Sequence, residues 1–306
     1  MGTAQTVTGA IDVERLGFCQ CHEHLCVKEC PGTRKFPALL IDDMAKSRQE
    51  LLDYRTAGGR TILDAQPAGA GRDAAFLRDL SAATGVAIVT VTGFHLPHFY
   101  EPDHWTYTEG EDALTRRFLD ELYNGCAEAR DVRPGAVKAA LGAEGCTGRT
   151  ETKLRAAANA AAEARVPLVV HTEMGEGAVK AVSIAQGAGV PVQKILICHA
   201  DRQATDFTPH DAIADTGAML EYDTIGRFKY HDDEQEYALI THMLLGRHGG
   251  QLLLSLDTTN RRLARYGGEI GLTYLIDVFL PALRRYGVTE DAIRQMTIEN
   301  PKKVFA

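Results

Sequence analysis

The chain carries seven cysteines, at 19, 21, 26, 30, 126, 146 and 198, but no C-x-x-C pair. Without a second cysteine pair a four-thiolate zinc cage is excluded, and the odd count speaks against a disulfide framework. No apolar run approaches the ~18 residues that would span a bilayer. The opening "MGTAQTVTGAIDVE" has neither the basic start nor the apolar core of a signal peptide. These absences make a reduced, cytoplasmic compartment the expectation. Basic runs are lacking too, and a formal charge of −8 argues against a phosphate backbone as the main partner. No low-complexity tract, short repeat or linker interrupts the 306 residues, so a single domain over 1–306 is expected.

What is present is an alternation. Strand-like runs fall at 17–24, 60–66, 85–94, 135–142, 166–173, 194–201, 218–225 and 251–257, eight in all. Several are nearly all apolar, as parallel strands buried on both faces must be. Between them lie helical segments such as "DDMAKSRQELLDYRTAGG" and the alanine-rich "TETKLRAAANAAAEAR". In "TPHDAIADTG" the pattern predicts Thr208 as N-cap, Pro209 at the first helical position and Gly217 as the stop. Eight such units predict an α/β fold, a (β/α)8 TIM barrel. An open dinucleotide-binding sheet is the alternative, but no G-x-G-x-x-G follows the first run.

A barrel of this type places its active site at the carboxyl ends of the strands. There the sequence sets ionisable residues behind apolar runs: His22 and His24 on the first, Lys138 within the fourth, His171 on the fifth, His199 on the sixth and Asp257 on the eighth. Singly, each has an ordinary reading: a satisfied histidine, a snorkelling lysine, a helix-capping aspartate. Burying them together unpaired would cost several kcal/mol each, and a cation at the barrel mouth is the simplest compensation. Side chains alternate along a strand. His22 and His24 therefore share a face, and Glu23, with Cys21, is expected to point away. On this reading histidines bind and cysteines pack.

This set, H-x-H, Lys, His, His, Asp in strand order, resembles the ligand set of the amidohydrolase superfamily. "LGFCQCHEHL", "GAVKAA", "VVHTE", "ICHAD" and "LLSLDTT" resemble its phosphotriesterase-like branch, from about residue 9 to the closing "IENPKKVF". The resemblance implies two divalent ions, usually zinc. His22, His24 and Asp257 would hold one and His171 and His199 the other, with a carbamate on Lys138 bridging them. It implies hydrolysis by a hydroxide shared between the ions, with Asp257 accepting its proton.

The substrate would meet the loops. "TGFHLPHFYEPDHW" offers His95, Phe94, Tyr100 and Trp105; "DTIGRFKYHDD" offers Arg227, Lys229 and Tyr230; "TTNRRLARYGG" offers Arg261, Arg262, Arg265 and Tyr266. Of these, His95, Lys229, Tyr230, Arg261, Arg262 and Tyr266 are the expected substrate contacts. Cations beside a site in an acidic protein point to a small anionic substrate. "YDTIGRFKYH" and "SLDTT…YGG" look most like the sugar-lactone-hydrolysing members of the branch, including those acting on phosphorylated lactones. Those relatives carry an arginine three residues after the aspartate, where this chain has Asn260 followed by Arg261 and Arg262. The expected activity is thus opening of a carbohydrate lactone. The alternatives are a promiscuous phosphotriesterase or carboxylesterase with the same site, and a metal-binding barrel without catalysis. The expected partners are the substrate and a second copy in a homodimer, with no nucleic acid and no membrane.

Overall fold

The computed structural model describes residues 2–306. A short antiparallel hairpin, β1 (Thr3–Thr6) and β2 (Gly9–Asp12), precedes an eight-stranded parallel sheet. The hairpin was not legible in the sequence pattern. The sheet strands are β3 (Phe18–Glu23), β4 (Gly59–Asp64), β5 (Ala87–Gly93), β6 (Ala136–Ala140), β7 (Leu168–His171), β8 (Ile195–Cys198), β9 (Met219–Tyr222) and β10 (Leu252–Leu254), each paired with its sequence neighbours. The sheet curls until its edges meet. Asp257 N donates to His22 O at 3.2 Å, and His22 N to Ser255 Oγ at 3.1 Å. With helices between the strands this is the expected (β/α)8 barrel in one domain. No helix among the described residues is long and apolar enough to cross a membrane.

Both faces of the strands are buried, which explains their continuous apolar runs. Val89, Val91, Val169, Leu196 and Leu253 fill the barrel interior. Val137, Val170, Ile197, Leu220 and Leu254 face the surrounding helices. The helices follow ordinary boundary chemistry. Met44–Ala57 is capped by Asp43, whose carboxylate accepts from Ala45 N and Lys46 N, and ends on Gly58 at φ 118°, a left-handed turn that suits glycine. One boundary differs from expectation: the helix Thr208–Ala214 already includes Thr208. Asp206, rather than Thr208, takes the free N–H, with Oδ1 accepting from Thr208 N at 3.0 Å.

The opening motif holds a second correction. Gln20 pairs with Ile62 and Glu23 with Asp64, so three steps on β3 oppose two on β4. That extra residue is a β-bulge, and it breaks the alternation. Cys21 is therefore not turned away with Glu23. Its thiol lies in the barrel interior, 3.6 Å from the Cys19 sulfur. Gln20 and Glu23 meet on the other side at 2.9 Å. The bulge lets Cys21, His22 and His24 all face inward, with the cysteine one layer down. Glu23 secures the seam, accepting from Leu256 N, Thr258 N and Thr258 Oγ1. All seven cysteines are free and buried, and no candidate ligand cluster among the described residues contains one. Cys21→Ser is accordingly expected to leave bound metal unchanged by elemental analysis; loss of metal in that variant would make the thiol a ligand.

Candidate active site

At the carboxyl ends of the strands the six ligand-type side chains named from the sequence come together, all buried. His22, His24 and Asp257 place one donor atom each within 4.8 Å of one another. His24 Nε2 lies 3.3 Å and His22 Nε2 3.9 Å from Asp257 Oδ1. On the opposite side His199 Nε2 faces His171 Nδ1 at 2.8 Å. Lys138, on β6, is fully buried, and its Nζ has no hydrogen-bond partner.

Local backbone chemistry aims these groups. His199 and Asp257 both adopt left-handed backbone, at φ 65° and 46°. This conformation is uncommon for residues with a side chain and tends to collect at functional sites. Gly93 makes room for the lysine strand: a Cβ there would come within 1.9 Å of Lys138 O.

Asp223 was missed in the sequence, where it is one acidic residue beyond β9. Its two oxygens lie 2.5 Å from His199 Nδ1 and 3.0 Å from His22 Nδ1. His22, His199 and Asp223 are also close enough together to suggest an ion site. Asp223 holds His199 Nδ1 by this hydrogen bond and so directs the Nε2 of that ring into the site, while its second oxygen stands beside His22 Nδ1. Glu173 does the same for His171, 3.2 Å from its Nε2.

These partners permit a proton count. If Asp223 takes the His199 Nδ1 proton and Glu173 the His171 Nε2 proton, the two facing nitrogens of neutral rings carry lone pairs only. His22 Nε2 likewise lacks a hydrogen-bond partner. Burial keeps the rings neutral: it lowers His22 and His199 well below the usual histidine range and draws His171 down to about 4. Burial also lowers the Lys138 ammonium. Burial alone would raise Asp257, but the Arg227 guanidinium, with the hydrogen bond from His24, outweighs it and holds the carboxyl well below its ordinary range. Inward-facing lone pairs around an ionised carboxylate fit bound cations.

Above these groups opens a cavity of about 610 Å³. His95, Lys229, Tyr230, Arg261 and Arg262 line it, as the sequence led one to expect. His95 stacks on Phe99 with ring centres 3.9 Å apart. Tyr230 sits among cations, with Lys229 Nζ 4.4 Å from its ring centre and the Arg202 and Arg227 guanidiniums at 5.2 and 5.7 Å. Arg262 reaches the wall, but its guanidinium is committed to the carbonyls of Leu256, Asp257 and Ile225. It holds backbone. Tyr266 lies outside the cavity, in a neighbouring groove, and its hydroxyl is held by Ser47 and Asp43. Asn260 is also turned away, donating to the carbonyls of Pro37 and Leu40. Of the aromatics in the loop after β5, Phe94 and Tyr100 are buried beneath the mouth and Trp105 packs on Phe118. Arg202 was not foreseen; it donates to Glu173 at 2.9 Å and lies 3.8 Å from Asp257. Arg227 donates directly to Asp257 Oδ2.

Fold and site together define a (β/α)8 barrel whose strand ends gather a metal-ligand set beneath a cation-rimmed cavity. The chain belongs to the Phosphotriesterase family, whose family model matches residues 2–305. It is 30% identical over 328 residues to the phospho-furanose lactonase of Mycoplasmopsis synoviae (strain 53), covering 99% of this chain and 91% of that protein. The phosphotriesterase homology protein of Escherichia coli (strain K12) is 28% identical over 291 residues, covering 94% of this chain and 98% of that one. A lactonase from Listeria monocytogenes superposes with a TM-score of 0.93 at 29% identity, over 99% of each chain.

Proposed function

We propose that this protein is a metal-dependent hydrolase that opens a carbohydrate lactone bearing an anionic group, a phosphorylated sugar lactone being the leading case. The observation that carries the reading is the vertical order of the site: buried histidines and Asp257 at the floor, Lys229 and Arg261 at the rim. Both lactonases described above belong with a chain of this length and fold, which supports the reaction class.

His22, His24 and Asp257 would hold one divalent ion and His171 and His199 the other, with zinc favoured by the imidazole and carboxylate donors. Such a pair supplies Lewis acidity and brings the pKa of water down toward ~7. Lys138, its ammonium disfavoured by burial, is suited to add to carbon dioxide. The N–C bond would form with loss of one proton to solvent, and the resulting carbamate, one negative charge shared by two oxygens, would face the ions. Asp257 accepts the proton of the attacking water and returns it to the ring oxygen that leaves. Lys229 and Arg261 hold the substrate's anionic group away from the reacting carbonyl and orient the ring. Glu173 and Asp223 keep the imidazoles aimed.

The decisive experiment is a panel of phosphorylated and neutral sugar lactones given to the metal-loaded protein. Turnover of a phosphotriester or simple ester, with every lactone inert, would replace this reading by the alternative hydrolase. Within the panel Lys229 is the discriminating residue. A charge-assisted hydrogen bond is worth roughly 1.5–3 kcal/mol, or about ten- to a hundredfold in kcat/KM. Lys229→Ala is expected to penalise the phosphorylated lactone by that factor and to spare its neutral counterpart. Equal losses on both would mean that Lys229 supports its loop instead.

A further inference from the structure

A separate buried cluster lies outside this site, and the mechanism leaves it unused. Asp201 follows His199 by two residues, His231 ends the loop that carries Lys229 and Tyr230, and Glu236 lies in the first turn of the helix Asp233–Leu245. They come from separate segments, yet one donor atom from each falls within 4.8 Å of the others. Asp201 and Glu236 are 0% exposed and His231 4%.

Hydrogen-bond bookkeeping leaves three carboxylate oxygens of this cluster without partners. Thr224 donates both its N–H and its Oγ1 hydroxyl to Asp201 Oδ2, at 2.6 and 2.8 Å. Asp201 Oδ1 has no partner. His231 Nδ1 lies 3.0 Å from Asp232 O. A carbonyl can only accept, so Nδ1 carries a ring proton, and Nε2 would be the nitrogen left for an ion. Nε2 faces Glu236 Oε2 at 3.4 Å and the Thr224 hydroxyl oxygen at 3.1 Å. Neither Glu236 oxygen has a hydrogen-bond partner. Asp201 Oδ1 and both Glu236 oxygens thus lie in the His231 cluster without a hydrogen-bond partner.

We propose that Asp201, His231 and Glu236 form a third metal site, taking one transition-type dication such as Zn²⁺. One imidazole nitrogen and two carboxylates suit Zn²⁺ or Mn²⁺ better than the all-oxygen preference of Ca²⁺ or Mg²⁺. Two negative charges and a neutral ring are balanced by a divalent ion. The role is structural. The ion ties the end of β8 and the start of the helix Asp233–Leu245 to the loop that presents Arg227, Lys229 and Tyr230 to the cavity. It deepens the proposed function by fixing the substrate-facing loop, and it rests on that reading only for the loop's role.

The test counts ions. The full-length protein is stripped with chelator, reloaded with Zn²⁺ alone, freed of excess metal and measured by elemental analysis and native mass spectrometry. Wild type is expected to hold one more ion per chain than Glu236→Gln or His231→Asn, and the double variant to lose no further ion. Equal counts in wild type and both variants would overturn the third site. The ions that remain in Glu236→Gln report separately on the two-ion centre, so failure of either claim is visible alone. If the variants do not fold, nitrogen NMR of wild-type His231 decides. A proton on Nε2 in the zinc-loaded protein means a buried imidazolium–carboxylate pair and overturns the proposal. An unprotonated Nε2 whose resonance moves on zinc loading upholds it.

Discussion

Asp257→Asn is expected to lower kcat on the lactone substrate by about 10²–10⁴-fold, the range typical of a positioned acid–base group, while KM moves little. The substitution preserves the size of the side chain and removes its basicity. It touches three things at once: the proton acceptor, the carboxylate 3.3 Å from His24 Nε2, and the partner of Arg227. Loss of an interaction made only in the transition state lowers kcat and kcat/KM together. A fall in KM alongside kcat would point instead to a role in straining the bound substrate. Steady-state kinetics on protein with verified metal content separates these outcomes, and near-normal turnover would remove Asp257 from the mechanism.

Lys138→Ala is the second large effect. Five side chains would remain around the proposed pair of ions, with Asp257 as their only carboxylate. The expected result is loss of bridging, depleted metal, and a fall in turnover exceeding the roughly 10–100-fold cost of removing an outer partner of a ligand. The truncated side chain leaves space in a fully buried position. A short-chain carboxylic acid at high concentration is therefore expected to restore part of both metal and turnover by supplying the missing oxygens. Unchanged metal and activity in Lys138→Ala would show that the lysine does not bridge. Reconstitution of wild type in buffer free of carbon dioxide should be slow and should recover on adding bicarbonate.

The metal-ligand constellation was readable because its information is local. Each of His22, His24, Lys138, His171, His199 and Asp257 sits at or near the end of an apolar run, where a polar residue is conspicuous and the barrel rule assigns it a place. Asp223, Glu173 and Arg202 carry no such mark. Their importance rests on distances of 2.5–3.2 Å that only the folded chain sets, between residues far apart in sequence for Asp223 and Arg202 and two positions apart for Glu173 and His171. Asp201, His231 and Glu236 were equally silent, since no spacing rule links a strand end, a loop and a helix start.

The substrate loops were legible by composition only. Arg261 and Arg262 are adjacent in sequence with identical charge, yet Arg262 spends its guanidinium on three backbone carbonyls while Arg261 lies at the cavity wall. Tyr266 and Asn260 were likewise drawn aside by hydrogen bonds to Asp43, Ser47, Pro37 and Leu40, near the other end of the chain. Loop side chains choose among many partners, and nothing periodic restricts them.

By itself the sequence determined the barrel, the direction in which its mouth opens and the chemical kind of its floor. Alternating apolar runs and amphipathic segments leave few ways to bury both, and that constraint is written in short stretches of chain. Tertiary structure decided what periodicity could not. It inserted one residue between Gln20 and Glu23, and so turned Cys21 inward beneath His22 instead of away from it. It also selected which cations stay free and which carboxylates aim the imidazoles. A bulge is a property of two paired strands, and an orienting contact is a property of two distant residues, so neither exists until the barrel has closed.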